Sequence, residues 1–438
     1  MKRLLLVLYN TIFVPVLYLI FHLLSLTNSK IKRGVQGRKN LIRNIRDRLA
    51  KLGNDRPKIW FHVSSYGEFL QVKSVLHELK KNTPDIFIIV SFFSPSGYEN
   101  VPETNPIDLK CYLPFDSYFR AKQFVSLLSP NAAVIVRHDI WPNFAWRLKR
   151  SNIPLFLIDA SLPQNLSRFW PILRILNRHL FDLFKAVLVI SKNEVENFQK
   201  LIRNSQRIIT IGDTKYDQVF ERSQNLEKIA LLLQSPVFKN NKVLVAGSSW
   251  QEDEEQIIPA FQQLAQRFSD LVLIIAPHEI DSHRIEQVEN RLQNAELTSV
   301  RYSLFQAETF NANCLIIDKI GLLANIYYLG AMAFVGGSFH YKIHNVLEPS
   351  VYGIPVIFGP KMKNSSEAEN LLKHKAAILV NSTQDIVAII SNLLQNPYLA
   401  QEYGERAKSI VMENVGSSRK IATFLQGYLT APSSERLK

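Results

Sequence analysis

Residues 334–360 place the densest set of chemically specialised side chains in one short run. Residues 331–335 read as a short buried strand that ends at Gly336-Gly337. Lacking Cβ atoms, these two glycines allow backbone N–H groups to approach a bulky anion, although the same pair also suits a plain tight turn. His344-Asn345 is expected to open a helix that carries Glu348 and Pro349. Unpaired N–H groups at such a helix start suit a phosphate, and a carboxylate one turn in can accept hydrogen bonds from ribose hydroxyls. Residues 351–358 then return as a second strand through Gly353-Ile354-Pro355. Strand, loop, helix and strand in this order point to a site for a nucleotide-sugar.

A second candidate lies far upstream. Residues 58–63, KIWFHV, form a compact run of aromatic and β-branched residues that breaks at Ser64-Ser65-Tyr66-Gly67-Glu68, before a helical pattern over 69–79. Glu68 falls in the first turn of that helix, at the carboxyl end of an expected parallel strand, where open α/β sheets place ligands. The helix dipole also favours an acid there. Further strands are expected at 86–93, 132–136, 153–160, 187–191, 208–211, 243–246 and 271–276.

At 438 residues the chain is long enough for two α/β domains, each burying its own core. Its 47% hydrophobic and 21% charged composition is that of a globular protein. A formal charge of +14 calls for a polyanionic neighbour: nucleic acid, acidic phospholipid or a phosphorylated substrate. Cys111 and Cys314, the only cysteines, are too few for a disulfide framework or a zinc site, so no metal site is expected. The sequence also lacks a GxxxxGK loop, a GxSxG elbow and paired CxxC motifs.

The positive charge is concentrated near the start. Residues 4–26 run without a charge, long enough for a membrane anchor of ~20 residues, either spanning or lying partly in the interface. A cleaved signal peptide is the rival, but no small-x-small cleavage site precedes the basic stretch. From Lys30 to Lys51 nine basic residues, among them Arg38, Lys39, Arg43, Arg46 and Arg48, face the single acid Asp47. Such a cluster suits an anionic leaflet and the cytoplasmic side of a membrane. Because the charge sits beside the anchor and not on a recognition module, nucleic acid is not an expected partner. Residues 167–185, basic and aromatic, suit a headgroup layer or an ordinary half-buried helix equally. A polar stretch between Asp217 and Lys242 marks the junction, giving an anchor at 1–27, an N-terminal domain at 28–225 and a C-terminal domain at 226–438.

Several motifs now line up. Gly336-Gly337-Ser338 followed by His344-Asn345-Val346-Leu347-Glu348-Pro349, and His62, Ser65, Gly67 and Glu68 in an H-x-x-S-x-G-E segment, resemble the 3-deoxy-D-manno-octulosonic acid (Kdo) transferases of the GT-B glycosyltransferases. The resemblance extends to Tyr112-Leu113-Pro114-Phe115-Asp116, to Asp139 with Trp141-Pro142-Asn143, to Gly212 with Lys215-Tyr216-Asp217, and to the Ile320-Gly321-Leu322 turn. Two departures stand out: Arg137 occupies a place where relatives often have an acid, and Pro277-His278 stands where they more often have Pro-Arg-His.

The resemblance implies two Rossmann-like domains facing a cleft, the last helices packing back on the first. It implies an inverting transfer of Kdo from CMP-Kdo to a lipid A precursor, lipid IVA, with no cofactor and no obligate protein partner. Glu68 would act as general base, Asp139 would support it or orient the acceptor, or else pair with Arg137, and Lys215 would offset charge on the departing nucleotide. Pro277, His278, Ile320, Gly321, Leu322, Gly336, Gly337, Ser338, Asn345, Val346, Leu347 and Glu348 would bind the donor. The location implied is the inner membrane, with the catalytic domains on its cytoplasmic side and phospholipid as a partner. A GT-B enzyme using a UDP-sugar and another lipid acceptor is the alternative, and a non-catalytic protein that binds anionic lipid is a second.

Overall fold

The computed structural model describes residues 6–53, 56–104, 106–162 and 171–430. It forms two compact units, Met1–Gln218 with Gly416–Lys438, and Val219–Val415. The second unit thus begins at Val219 where the sequence placed the boundary at 226, and the chain from Gly416 onward belongs to the first unit.

The first unit is built on β1 (Lys58–Val63), β2 (Phe87–Phe92), β3 (Leu109–Tyr112), β4 (Ala132–Val136), β5 (Leu155–Ala160), β6 (Ala186–Val189) and β7 (Ile208–Thr210). Their order is β3-β2-β1-β4-β5-β6-β7, and all neighbours are parallel. The strands read as near-continuous apolar runs because a parallel sheet is covered on both faces. Trp60, Phe124, Phe144 and Leu157 fill one core; Phe61, Phe69, Phe92 and Phe156 fill the other. The sheet order reverses between β1 and β4, which opens a crevice at their carboxyl ends.

The final helix, Ser417–Thr430, completes the second of these cores with Ile421, Ala422 and Leu425. Asp217 ties it down by accepting the backbone N–H groups of Gly416 (2.7 Å) and Ser418 (3.1 Å). Gly212, at φ +109°, lets the chain pass beneath, since a Cβ there would lie 2.1 Å from Ser417 Oγ.

The second unit carries β8 (Lys242–Ser249), β9 (Leu271–Pro277), β10 (Ser299–Arg301), β11 (Cys314–Ile316), β12 (Met332–Val335), β13 (Val356–Phe358) and β14 (Ala377–Leu379), in the order β10-β11-β9-β8-β12-β13-β14. Here too every pairing is parallel, and the order reverses between β8 and β12. The return strand expected over 351–358 is confined to Val356–Phe358. Gly353, at φ +74°, turns the chain first, and its carbonyl approaches so closely that a Cβ on Gly404 would lie 1.9 Å away.

At the start, the helix Leu6–Thr27 has 22 residues and is long and apolar enough to cross a membrane. Two helices follow, Ser29–Gln36 and Leu41–Leu52. Not all of their cations face outward. Arg38 donates to the carbonyls of Gly34, Phe93 and Leu113 at 2.7–2.8 Å and lies over the rings of Phe93, Tyr112 and Phe115. Burial pushes its guanidinium down to about 10. Arg48 donates to the Lys110 carbonyl and pairs with Glu103. The rigid guanidinium fork suits such multiple acceptors, which withdraws both residues from the expected basic surface. The aromatic stretch expected at 167–185 begins outside the described residues and continues into the helix Pro171–Phe181; residues 1–5 of the anchor also lie outside them.

Substituting Asp217→Ala strips the final helix of its N-terminal acceptor, and stability in denaturant should fall by about 1–2 kcal/mol. Increased proteolysis near Gly416 should accompany the loss.

Candidate functional site

At the crevice between β1 and β4, the strand-to-helix turn after β1 holds Glu68. Ser65 caps the helix Tyr66–Asn82 through its Oγ, and Glu68 Oε2 accepts the Ser64 N–H at 2.6 Å. The half-buried carboxylate is therefore fixed at the carboxyl edge of the sheet, where the sequence placed it. Across the crevice, Asp139 Oδ2 lies 3.0 Å from His62 Nε2. The His62 ring is buried, and its Nδ1 lies 2.9 Å from Ser91 Oγ, which also receives the Trp60 indole N–H at 2.8 Å. Since a carboxylate can only accept, Nε2 carries a proton toward Asp139.

Asp139 consequently does not form the ion pair with Arg137 offered as an alternative. Arg137 adopts φ +62°, donates through Nε to Gln71 Oε1 at 2.6 Å, and brings Nη2 to 3.7 Å from Asp213 Oδ1. It links the helix of Glu68 to the turn after β7. In that turn Asp159, wholly buried at the end of β5, accepts the Thr214 N–H (3.0 Å) and hydroxyl (2.5 Å). Burial, and then the charge of Asp213, push its carboxyl up to about 7. Asp213 Oδ1 accepts the Lys215 N–H at 2.8 Å, which sets Lys215 in the first turn of the helix Thr214–Ser223. Sequence reasoning missed Asp159, Asp213, Gln71 and Ser91 as parts of this edge. An acid inside the apolar run LFLIDA was the available signal for Asp159.

In the second unit, parallel pairing brings the loops after β8, β9, β11 and β12 to one carboxyl edge, and with them Trp250, Pro277-His278, Ile320-Gly321-Leu322 and Gly336-Gly337-Ser338. The glycine pair is not an open cradle of amides. Gly336 N–H donates to the Gly247 carbonyl (2.8 Å), and Gly337 N–H donates to Asp253 Oδ2 (2.7 Å). Buried Asp253 also accepts from Trp250 N–H (2.9 Å) and Phe339 N–H (2.9 Å), and burial raises its carboxyl. Glycine is required for space: a Cβ would lie 2.4 Å from Ser248 O at position 336 and 2.1 Å from Lys342 O at position 337. Ser338 is buried and bridges the Val335 carbonyl and the Gly359 N–H, both at 2.8 Å.

The expected helix opening at His344-Asn345 starts instead at Leu347 and ends at Ser350, because Asn345 Oδ1 accepts the Leu347 N–H (3.2 Å) and acts as a turn. Val346 and Leu347 are core residues, so only their backbone can serve a ligand. Glu348 Oε1 lies 3.2 Å from Arg222 Nη1; burial raises its carboxyl while Arg222 opposes that rise. Leu322 is buried and Ile320 exposed, with Gly321 at φ +86° between them.

Four rings form a continuous stack at this edge: His340 on Trp250 at 4.6 Å, Trp250 on His278 at 4.9 Å, and His278 on His344 at 4.3 Å. The Trp250 indole donates to His344 Nε2 at 3.0 Å, so the neutral His344 ring carries its proton on Nδ1. Burial first, then the charges of His278, Lys342 and His340, push His344 down to about 4. Burial also lowers His278. Flat rings beside exposed backbone suit a planar base or a sugar face. Among the described residues no group of three or more His, Cys, Asp or Glu is arranged to hold a metal ion.

A histidine depressed from ~6.5 to about 4 contributes stability that is present above pH ~6.5 and is lost as the pH falls toward 4. Between pH 7 and pH 5 the second unit should therefore lose stability on the order of 1–2 kcal/mol after solvent screening. His344→Gln, which keeps an acceptor for Trp250, should flatten that dependence in denaturation curves recorded at both values.

Residues 43–218 match the family described as 3-deoxy-D-manno-octulosonic-acid transferase (kdotransferase). Among curated proteins, the 3-deoxy-D-manno-octulosonic acid transferase of Aquifex aeolicus is 27% identical over 381 residues, covering 86% of this chain and 96% of its own. That of Chlamydophila psittaci is 28% identical over 365 residues, covering 82% of each, and that of Haemophilus influenzae is 26% identical over 380 residues, covering 85% and 87%. Of solved structures, the UDP-GlcNAc 2-epimerase from Neisseria meningitidis superposes with a TM-score of 0.59 at 17% identity, over 84% of this chain and all of its own. A glycosyltransferase from Rickettsia africae gives 0.58 at 12% identity, over 87% of this chain and 100% of its own. These structures show the fold: two parallel-sheet α/β units.

Proposed function

We propose, from the premise that this glycosyltransferase is a relative of the Kdo transferases, that it moves Kdo from CMP-Kdo to a hydroxyl of a lipid A precursor, lipid IVA, in lipopolysaccharide synthesis. The observation that carries the reading is Glu68, a carboxylate fixed at the β1/β4 reversal inside the stretch that matches the family. The acceptor oxygen attacks the anomeric carbon while the bond from that carbon to the phosphate oxygen breaks. Glu68 takes the hydroxyl proton, and CMP leaves with the bonding electron pair, inverting the centre. Asp139, oriented by His62, positions the acceptor hydroxyl. Lys215 offsets charge on CMP, the His278 ring stacks on the nucleotide, the exposed backbone around Gly321 reads the base, and Glu348 with Asn345 meets the ribose. Because the Gly336 and Gly337 amides are taken, the glycines shape the floor of the donor site and do not themselves bind phosphate.

A phosphorylated lipid as acceptor gives the apolar helix and the basic helices beside it a common purpose. They place the enzyme at the inner membrane with its catalytic units on the cytoplasmic side.

Glu68→Gln retains an oxygen to accept the Ser64 N–H but cannot take a proton. With CMP-Kdo and lipid IVA, this variant should lose ~10²- to 10⁴-fold in kcat with little change in KM or thermal stability. Mass spectrometry of the wild-type product reads donor, acceptor and the number of additions in one measurement. Transfer from UDP-sugars alone, or an undiminished kcat in the variant, would refute the assignment.

A further inference from the structure

The apolar helix does not stand away from the first unit; one face of it touches that unit between Tyr9 and Phe21. At its start the Tyr9 hydroxyl donates to Asp116 Oδ2 (2.7 Å), Asn10 and Asn143 exchange amide hydrogen bonds (3.0 and 2.9 Å), and Asn10 Oδ1 accepts the Tyr118 N–H (3.2 Å). Further along, Tyr18 meets Phe115 at 5.5 Å between ring centroids, and Phe21 meets Phe93 and Phe115 at 5.6 and 5.4 Å. From Tyr9 to Phe21 the helix rises roughly 18 Å at ~1.5 Å per residue. That is more than half of a hydrocarbon core ~30 Å thick. A helix crossing the bilayer would therefore drag the buried Asp116 and Asn143 and the half-buried Arg38 into hydrocarbon beside it, where such groups are disfavoured.

The opposite face is open. Leu8, Ile12, Val16, Leu19, Leu23 and Leu26 are all exposed, and their spacing of three and four residues makes one continuous apolar stripe. At Asn28 the chain leaves helical geometry (φ −109°, ψ 112°), and the exposed Lys30 and Lys32 follow at once. Beside the stripe runs a groove of about 1060 Å³, with Val14, Tyr18 and Leu19 on its apolar side and Lys39, Arg43, Arg46 and Arg120 on the other. Leu19 belongs to both stripe and groove, so apolar and cationic surfaces are contiguous.

We infer that this surface lies on a bilayer of anionic phospholipid, with the helix in the plane of the interface and not across it. The stripe enters the acyl boundary, the groove cations meet lipid phosphates, and the start of the helix stays on the same side as the catalytic body. Apolar area backed by Lys and Arg is the chemistry of an interfacial helix. The inference rests on the membrane reading above and decides the topology that reading leaves open.

The full chain, carrying one epitope before Met1 and a second after Lys438, is produced in bacteria, and sealed inverted membrane vesicles are treated with protease. An in-plane helix loses both epitopes without detergent. Protection of the first epitope, with loss of the second, would overturn the in-plane topology while leaving membrane association intact. In a parallel arm, the purified chain is sedimented with phosphatidylglycerol or phosphatidylcholine vesicles. Binding should favour phosphatidylglycerol, and Lys39→Glu with Arg46→Glu should weaken it at least tenfold at an unchanged melting temperature. Failure to sediment with phosphatidylglycerol would overturn both the surface and the membrane reading; equal binding to both lipids, or no effect of the double variant, would overturn the role of the groove.

Discussion

Carboxylates that accept backbone N–H groups hold the loops of this protein in place. Glu68 takes the N–H of Ser64, Asp116 those of Asn143 and Phe144, Asp159 that of Thr214, Asp217 those of Gly416 and Ser418, and Asp253 those of Trp250, Gly337 and Phe339. A buried carboxylate is costly unless charge-assisted hydrogen bonds offset its lost hydration, and an N–H deprived of its acceptor is costly in turn. Each pairing therefore specifies one loop geometry. For Asp116, Asp217 and Asp253, burial still raises the carboxyl despite the donors, a sign that desolvation is only partly offset.

This constraint changes how the motifs are understood. Acids within the motifs divide into those that build loops and those that the loops present. Asp116, in the Tyr112-Leu113-Pro114-Phe115-Asp116 segment, caps the helix Pro142–Arg150 and anchors Tyr9; Asp217 secures the last helix of the first unit. Glu68 does both tasks at once: one oxygen fixes the turn that puts its carboxylate at the edge of the sheet. Asp139 is held through His62, whose ring reaches back through Ser91 to Trp60 in the core. The pair at the crevice thus inherits its orientation from buried, rigid neighbours.

In the second unit the same logic works through rings. Asp253 gathers the turns after β8 and β12, and those turns carry Trp250, His340 and His344 into a stack with His278. Beside Pro277 this chain presents His278, which burial makes harder to protonate. The four rings form a flat platform of a kind suited to stacking.

Much of the architecture was legible from the chain alone. Apolar runs such as KIWFHV and LVLIIAP can only be strands buried on both faces, and their alternation with helices forces parallel sheets, so two α/β units and the edge position of Glu68 follow from composition and pattern. Tertiary structure alone decided the partners. Asp139 chose His62 over Arg137 because β1 and β4 are neighbours in the sheet, which local sequence cannot state. The glycine pair suits either amides open to an anion or a tight turn, and Asp253, 84 residues away, occupies the Gly337 amide. The helix of 22 apolar residues has the composition of a span, and its contacts through Tyr9 and Asn10 with Asp116 and Asn143 appear only in the fold. Periodicity is a local property and survives in sequence; a hydrogen-bond partner at long range is fixed only when the sheets bring their edges together.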